Sequence, residues 1–64
     1  MEPKLKKGTN VSIYIDPLTR EKSEGLARLE KFIRSDGELE YWTVRFIGAR
    51  GRLEGQTYDR FIKP

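Results

Sequence analysis

Glu38 and Glu40 stand two residues apart in "GELEYWTVRF", residues 37–46. On an extended strand that spacing puts both carboxylates on one face, as a general acid and base would need. Solvated carboxylates on a sheet surface have the same spacing, and solvated charge is the expectation for this pair. The rest of the catalytic inventory is thin. The chain has no histidine and no cysteine. That removes the commonest general base and zinc ligand, disulfides and thiolate metal sites. "GARGRLEG", residues 48–55, carries three glycines. It lacks the Lys-Ser/Thr ending of a phosphate loop and opens no helix pattern, so it reads as a hairpin turn. No Asp-rich segment has calcium-loop spacing. A domain of 64 residues also has little concavity in which to desolvate a catalytic group. The expectation is a protein that is not an enzyme, with no metal, cofactor or small-molecule substrate.

Binding chemistry is better represented. Seven aromatic residues occur in the chain, more than a thin core needs. Tyr41 adjoins Trp42, so on a strand their rings point to opposite faces. Trp42 shares parity with Val44 and Phe46, an apolar row. Tyr41 shares parity with Thr43 and Arg45, a polar one. Trp42 is therefore expected inside and Tyr41 outside. Phe32 and Phe61 are left open between core and surface. Tyr14, Tyr41 and Tyr58 are the candidate aromatic face. Exposed tyrosines among basic residues stack on nucleic-acid bases or anchor protein partners; they also simply pair across a sheet.

The charge distribution suggests where an anion would lie. Thirteen basic and ten acidic side chains give a net +3. Residues 1–8 carry three Lys and one Glu, and residues 45–64 carry five basic and two acidic side chains. The segment between is slightly acidic. Ends that meet in a compact fold would make a positive patch; a highly charged solvated surface is the plainer account. Arg45, Arg50, Arg52, Arg60 and Lys63 are the candidate phosphate contacts, with Lys4, Lys6 and Lys7 on a flexible basic arm at residues 1–8.

These residues must be positioned by one small domain, residues 9–64. "NVSIYID" alternates Val11, Ile13 and Ile15 against Ser12, Tyr14 and Asp16, a half-buried strand ended by Pro17. Residues 17–34 read two ways. Asp16 as N-cap, Pro17 at the first helical position and Leu18, Leu26, Leu29 and Ile33 near one face suggest a helix. The polar run Thr19 to Glu24 and the interior Gly25 oppose it. They suggest instead a long loop over 17–24 and a strand from Gly25, with Ala27 and Leu29 inward and Arg28 and Glu30 outward. "SDG", residues 35–37, is a turn, and "ELEYWTVRFI" is the clearest strand. "RLEGQTYDRFIKP" reads as a short strand, a kink near Gly55 and a short strand around residues 60–62. The longest apolar runs are two or three residues, too short to span a membrane or form a signal-peptide core.

The pieces "KKGTNVSIYI", "EGLARLEKFI", "YWTVRFIG" and "YDRFIKP" together resemble the small SH3-like β-barrels, including Tudor-type domains, over residues 6–64. The pattern "YIDPLT…EGLARL…YWTVRF…YDRFI" is also similar to small uncharacterised proteins encoded by bacteria and their phages. The resemblance implies an all-β fold, an SH3-like barrel of four to five antiparallel strands, with Ile62 as the last core residue. It favours strand over helix after Gly25. It also implies a cytoplasmic accessory protein. The alternative architecture is α+β, a helix at 17–34 on a three-stranded sheet. A Tudor-type cage for a methylated cation needs three or four convergent aromatics and an acid, which the sequence does not bring together. Two functions follow. One is a low-specificity nucleic-acid-binding module for DNA or RNA, using the basic ends and the tyrosines. The other is a module for a protein partner or self-association, using the tyrosine face or a strand edge.

Overall fold

The structure is a computed structural model that describes residues 3–64. The chain is all-β. Strands β1 (Asn10–Asp16), β2 (Glu21–Asp36), β3 (Leu39–Gly48) and β4 (Thr57–Ile62) form one antiparallel sheet in the order β1-β2-β3-β4. The α+β alternative is thereby corrected: residues 17–20 are a turn, and β2 takes the rest of the proposed helix. The long loop expected over 17–24 is also shorter than read. Asp16 makes the turn tight, its Oδ1 accepting from the amides of Leu18 (3.2 Å) and Thr19 (3.3 Å) and its carbonyl from Arg20 (2.8 Å). The run "EKSE" is polar because this end of the β1–β2 hairpin projects past the core, where neither face of a strand requires apolar side chains. Among the described residues no helix is long and apolar enough to cross a membrane.

The core lies on one face of the sheet and draws on all four strands. Ala27 and Leu29 of β2 and Trp42, Val44 and Phe46 of β3 are buried with Ile13 of β1 and Ile62 of β4. For Ile13 and Ile62, on opposite edges, to share one cluster, the sheet must curl. Irregular pairings supply the bend. The β1–β2 register shifts after Ile13, and the β2–β3 register shifts near Leu26, Glu30 and Ile33. Gly25 sits at the first of these shifts with φ +121. A Cβ there would lie 2.6 Å from the carbonyl oxygen of Gly48, so only glycine allows β2 to approach the end of β3 so closely.

The short strand expected at residues 52–54 is instead a 3-10 turn, Gly51–Leu53, and β4 is a single strand after the positive-φ Gly55. The N-terminal arm is tied down from Lys4 onward. Lys4 and Leu5 donate their amides to Glu40, and the Gly8 amide donates to the Leu29 carbonyl at 2.7 Å. Met1 and Glu2, the start of the expected flexible arm, lie outside the described residues.

Candidate functional site

The alternation on β3 places Trp42 inside, 2% exposed, and Tyr41 on the opposite face. The strand pairing then builds a ladder on that outer face. Arg34 of β2, Tyr41 of β3 and Phe61 of β4 are successive cross-strand partners. The Tyr41 and Phe61 rings stack with centroids 4.4 Å apart. The Arg34 guanidinium lies 4.7 Å from the Tyr41 ring centre and 5.6 Å from that of Phe61. Next along the same face, the Thr43 hydroxyl donates to Asp59 at 2.7 Å.

The curl brings β1 close to β4 without any hydrogen-bonded pairing between them. This open seam holds two adjoining clefts that share Tyr14, Pro17 and Phe61. One extends to Ser12, Ile62, Arg20 and Lys63. The other extends to Ile15, Leu18, Tyr41 and Asp59. Ile15 is 65% exposed and Leu18 52%, large apolar side chains on a surface that includes three aromatic rings. Arg60 braces this region from β4 to β2 through a two-pronged contact with Glu24, at 2.9 and 3.3 Å.

The backbone edges facing the seam are unpaired. The Leu29 amide donates to the Thr9 carbonyl, which fixes the alternation along β1: Val11 and Ile13 face β2, and Asn10 and Ser12 face outward. Phe46 exchanges hydrogen bonds with Gly55 and Gln56. By the same alternation Tyr58, Arg60 and Ile62 face β3, whereas Thr57, Asp59 and Phe61 face outward. The Asp59 carbonyl is already capped by Arg60 at 2.9 Å.

The structure brings two of the three candidate tyrosines, Tyr14 and Tyr41, to the seam. Tyr58 is elsewhere: it sits edge-on to Phe46, with ring centres 6.0 Å apart, and Arg60 covers it at 5.1 Å. Phe61, which the sequence leaves open between core and surface, lies in both clefts. Its signal was available, because Ile62 as a core residue requires the neighbouring Phe61 to face the other way. Tyr41 and Phe61 stack on each other beneath Arg34 rather than standing as separate walls around a cation.

The candidate phosphate contacts are dispersed. Arg45 donates to Glu30 at 3.1 Å and to the Gly55 carbonyl at 2.8 Å, and Arg60 is held by Glu24. Arg50 and Arg52 are exposed in the β3–β4 connection, whereas Lys63 follows β4 at the other end of that hairpin. The docked arm sets Lys6 and Lys7 beside Lys31 around a shallow cleft that includes Phe32 and Trp42.

Glu40 departs from the expected solvated pair. Glu38 is exposed in the turn, but Glu40 has the inward parity of Trp42 and is 4% exposed. Its carboxylate accepts from the amides of Lys4 (2.6 Å) and Leu5 (3.2 Å) and from the Trp42 indole (3.0 Å). Desolvation alone would raise its pKa. These three hydrogen bonds and the Lys4 charge outweigh it and hold the carboxyl below its ordinary value. Glu40 is thus a structural clamp for the arm. Among the described residues no cluster of three or more carboxylates stands ready to hold a metal ion.

No protein-family model, curated protein or solved structure matches the chain.

Proposed function

We propose that this chain is a non-enzymatic module that binds a protein partner along the seam between β1 and β4. The observation that carries this reading is the meeting of Tyr14, Tyr41 and Phe61 with exposed Ile15 and Leu18 on one cleft. Such a patch rimmed by charge is what an interaction site requires. The unpaired outward groups of Ser12 and Phe61 add backbone donors and acceptors for an extended segment. Of the candidates for phosphate contact, Arg60 at the seam is already held by Glu24, and Arg45, away from the seam, by Glu30, so neither is a free cation for a phosphate. An SH3-like barrel is the architecture we assign, supported by the curled meander whose first and last strands share one core. A cytoplasmic location goes with this reading, supported by the absence of cysteine.

A photo-crosslinking residue placed at Leu18, with Ile33 as the control position, tests the proposal in cells that express the chain. The expected result is a discrete protein adduct from position 18 that is absent from position 33. Equal labelling at both positions, or a nucleic-acid adduct at position 18, would contradict it.

A second reading, low-specificity binding of DNA or RNA, is favoured by the convergence of Lys6, Lys7 and Lys31 near Phe32. It expects weak binding of mixed-sequence oligonucleotides that falls steeply with salt and weakens when Lys7 and Lys31 become Ala. Exposed Arg50 and Arg52 would contribute in the same sequence-independent way. Binding insensitive to salt, or to these substitutions, would remove it.

A further inference from the structure

We infer that the segment the seam receives is acidic: an extended peptide with an Asp or Glu next to an apolar anchor residue. The inference rests on the seam being a protein-binding site, and charge complementarity carries it. The cleft that reaches Ser12 and Ile62 includes two cations, Arg20 and Lys63, and no carboxylate. Neither cation has an ion-pair partner among the described residues. The adjoining cleft has the opposite character. It supplies the apolar surface of Leu18, Tyr41 and Phe61, and its carboxylates are already engaged. Asp16 accepts from the turn amides, Asp59 from Thr43, and Glu24 from Arg60. Only Glu24 is neutralised by a cation; Asp16 and Asp59 accept from neutral donors and keep their charge. This cleft therefore takes an uncharged apolar side chain and repels an acid, which leaves the ligand's carboxylate to the Arg20–Lys63 side.

A ligand matching both clefts therefore carries an apolar or aromatic residue for the Leu18–Tyr41–Phe61 surface and a carboxylate for Arg20 and Lys63. Because the clefts share Tyr14, Pro17 and Phe61, the two groups belong within a few residues of each other on one extended segment. Carboxylate recognition by an arginine and a lysine that have no other partner gives orientation as well as attraction. The outward Ser12 and Phe61 backbone groups can satisfy the segment's own amides.

A displayed library of random dodecapeptides, selected against the full chain, tests this. The enriched sequences should show an excess of Asp and Glu close to an apolar or aromatic residue. A synthetic peptide of the consensus should lose about tenfold or more in affinity against Lys63→Glu, and at least as much against Arg20→Glu with Lys63→Glu. The same peptide with Lys in place of its acids should bind the double variant better than the wild type. Lys63→Glu alone lies beyond the last strand, so it keeps the test valid if Arg20→Glu disturbs the hairpin turn. Peptides that require Tyr14 and Phe61 but carry no acidic excess and ignore the charge reversals would overturn the inference and leave the seam reading standing. Selection yielding no peptide sensitive to Phe61→Ala would overturn both. Retention of a single-stranded oligonucleotide that is lost on Lys63→Glu would assign the basic cleft to nucleic acid instead.

Discussion

The Trp42 indole donates to the Glu40 carboxylate at 3.0 Å, across one residue on the inner face of β3. The same carboxylate holds the amides of Lys4 and Leu5. One buried group therefore joins the largest core side chain to the N-terminal arm. A carboxylate that accepts three hydrogen bonds is tolerable in this setting; the same carboxyl protonated, or replaced, leaves donors without a charged acceptor.

Glu40 should make stability depend on pH in acid. Its pKa is below the ordinary 4.5 in the folded chain, so the unfolded chain takes up its proton first as pH falls. Its stabilising contribution is complete above the ordinary carboxylate range and is lost as pH drops below about 4.5 through the folded value. Glu30 adds in the same direction. Its hydrogen bond to Arg45 chiefly lowers its pKa, against some desolvation, with Arg28 assisting. Glu30 is at the surface, where salt screens it. Glu40→Gln should lower stability at neutral pH by about 1.5–3 kcal/mol and flatten the acid limb of a stability–pH curve. An unchanged acid limb would show that Glu40 is not the group responsible.

Trp42→Ala should cost about 3–5 kcal/mol, as much as a core of this size commonly supplies in total, and leave the chain largely unfolded by circular dichroism. Tyr41→Ala should cost about 1–2 kcal/mol, the loss of its stack on Phe61 and of the Arg34 contact. The fold should survive it. Comparable melting temperatures for the two variants would contradict the assignment of faces.

Gly25→Ala should destabilise far more than an exposed strand substitution. Positive φ alone costs about 1–3 kcal/mol for a residue with a side chain, and the new Cβ also meets backbone at Gly48 and Ala49. Gly37→Ala is the control, since φ is also positive there but nothing lies near its Cβ. It should cost only about 1–2 kcal/mol. Equal losses in denaturant melts would mean that close approach at Gly25 contributes nothing.

The legible parts of this fold follow from local alternation. Parity puts Tyr41 and Trp42 on opposite faces and, on a strand from Gly25, Ala27 and Leu29 inward, and Trp42, Ala27 and Leu29 are buried. Glu40 was not legible in that way. Its inward parity was readable, but its satisfaction was not, because two of its donors are backbone amides 36 and 35 residues earlier. The start of β2 was hidden because a strand that projects past the core has no apolar rhythm. The seam itself depends on curl, and curl depends on register shifts that no local pattern in β2 announces. Phe61 could have been oriented from Ile62, but not brought to Tyr14. The sequence offers Arg45 and Arg60 as phosphate contacts and does not show their partners, Glu30 and Glu24, which lie on a strand distant in sequence.

Amide hydrogen exchange on the free protein tests the open seam most directly. Unpaired edges on β1 and β4 require exchange to alternate along both strands. The amides of Ser12 and Phe61, which face outward, should exchange rapidly, whereas those of Ile13 and Arg60, held in the sheet, should be protected. Strong protection of Ser12 and Phe61 in the free chain would mean that β1 and β4 hydrogen-bond to each other. The sheet would then be closed on itself, and the seam would have no open backbone edge to offer a partner.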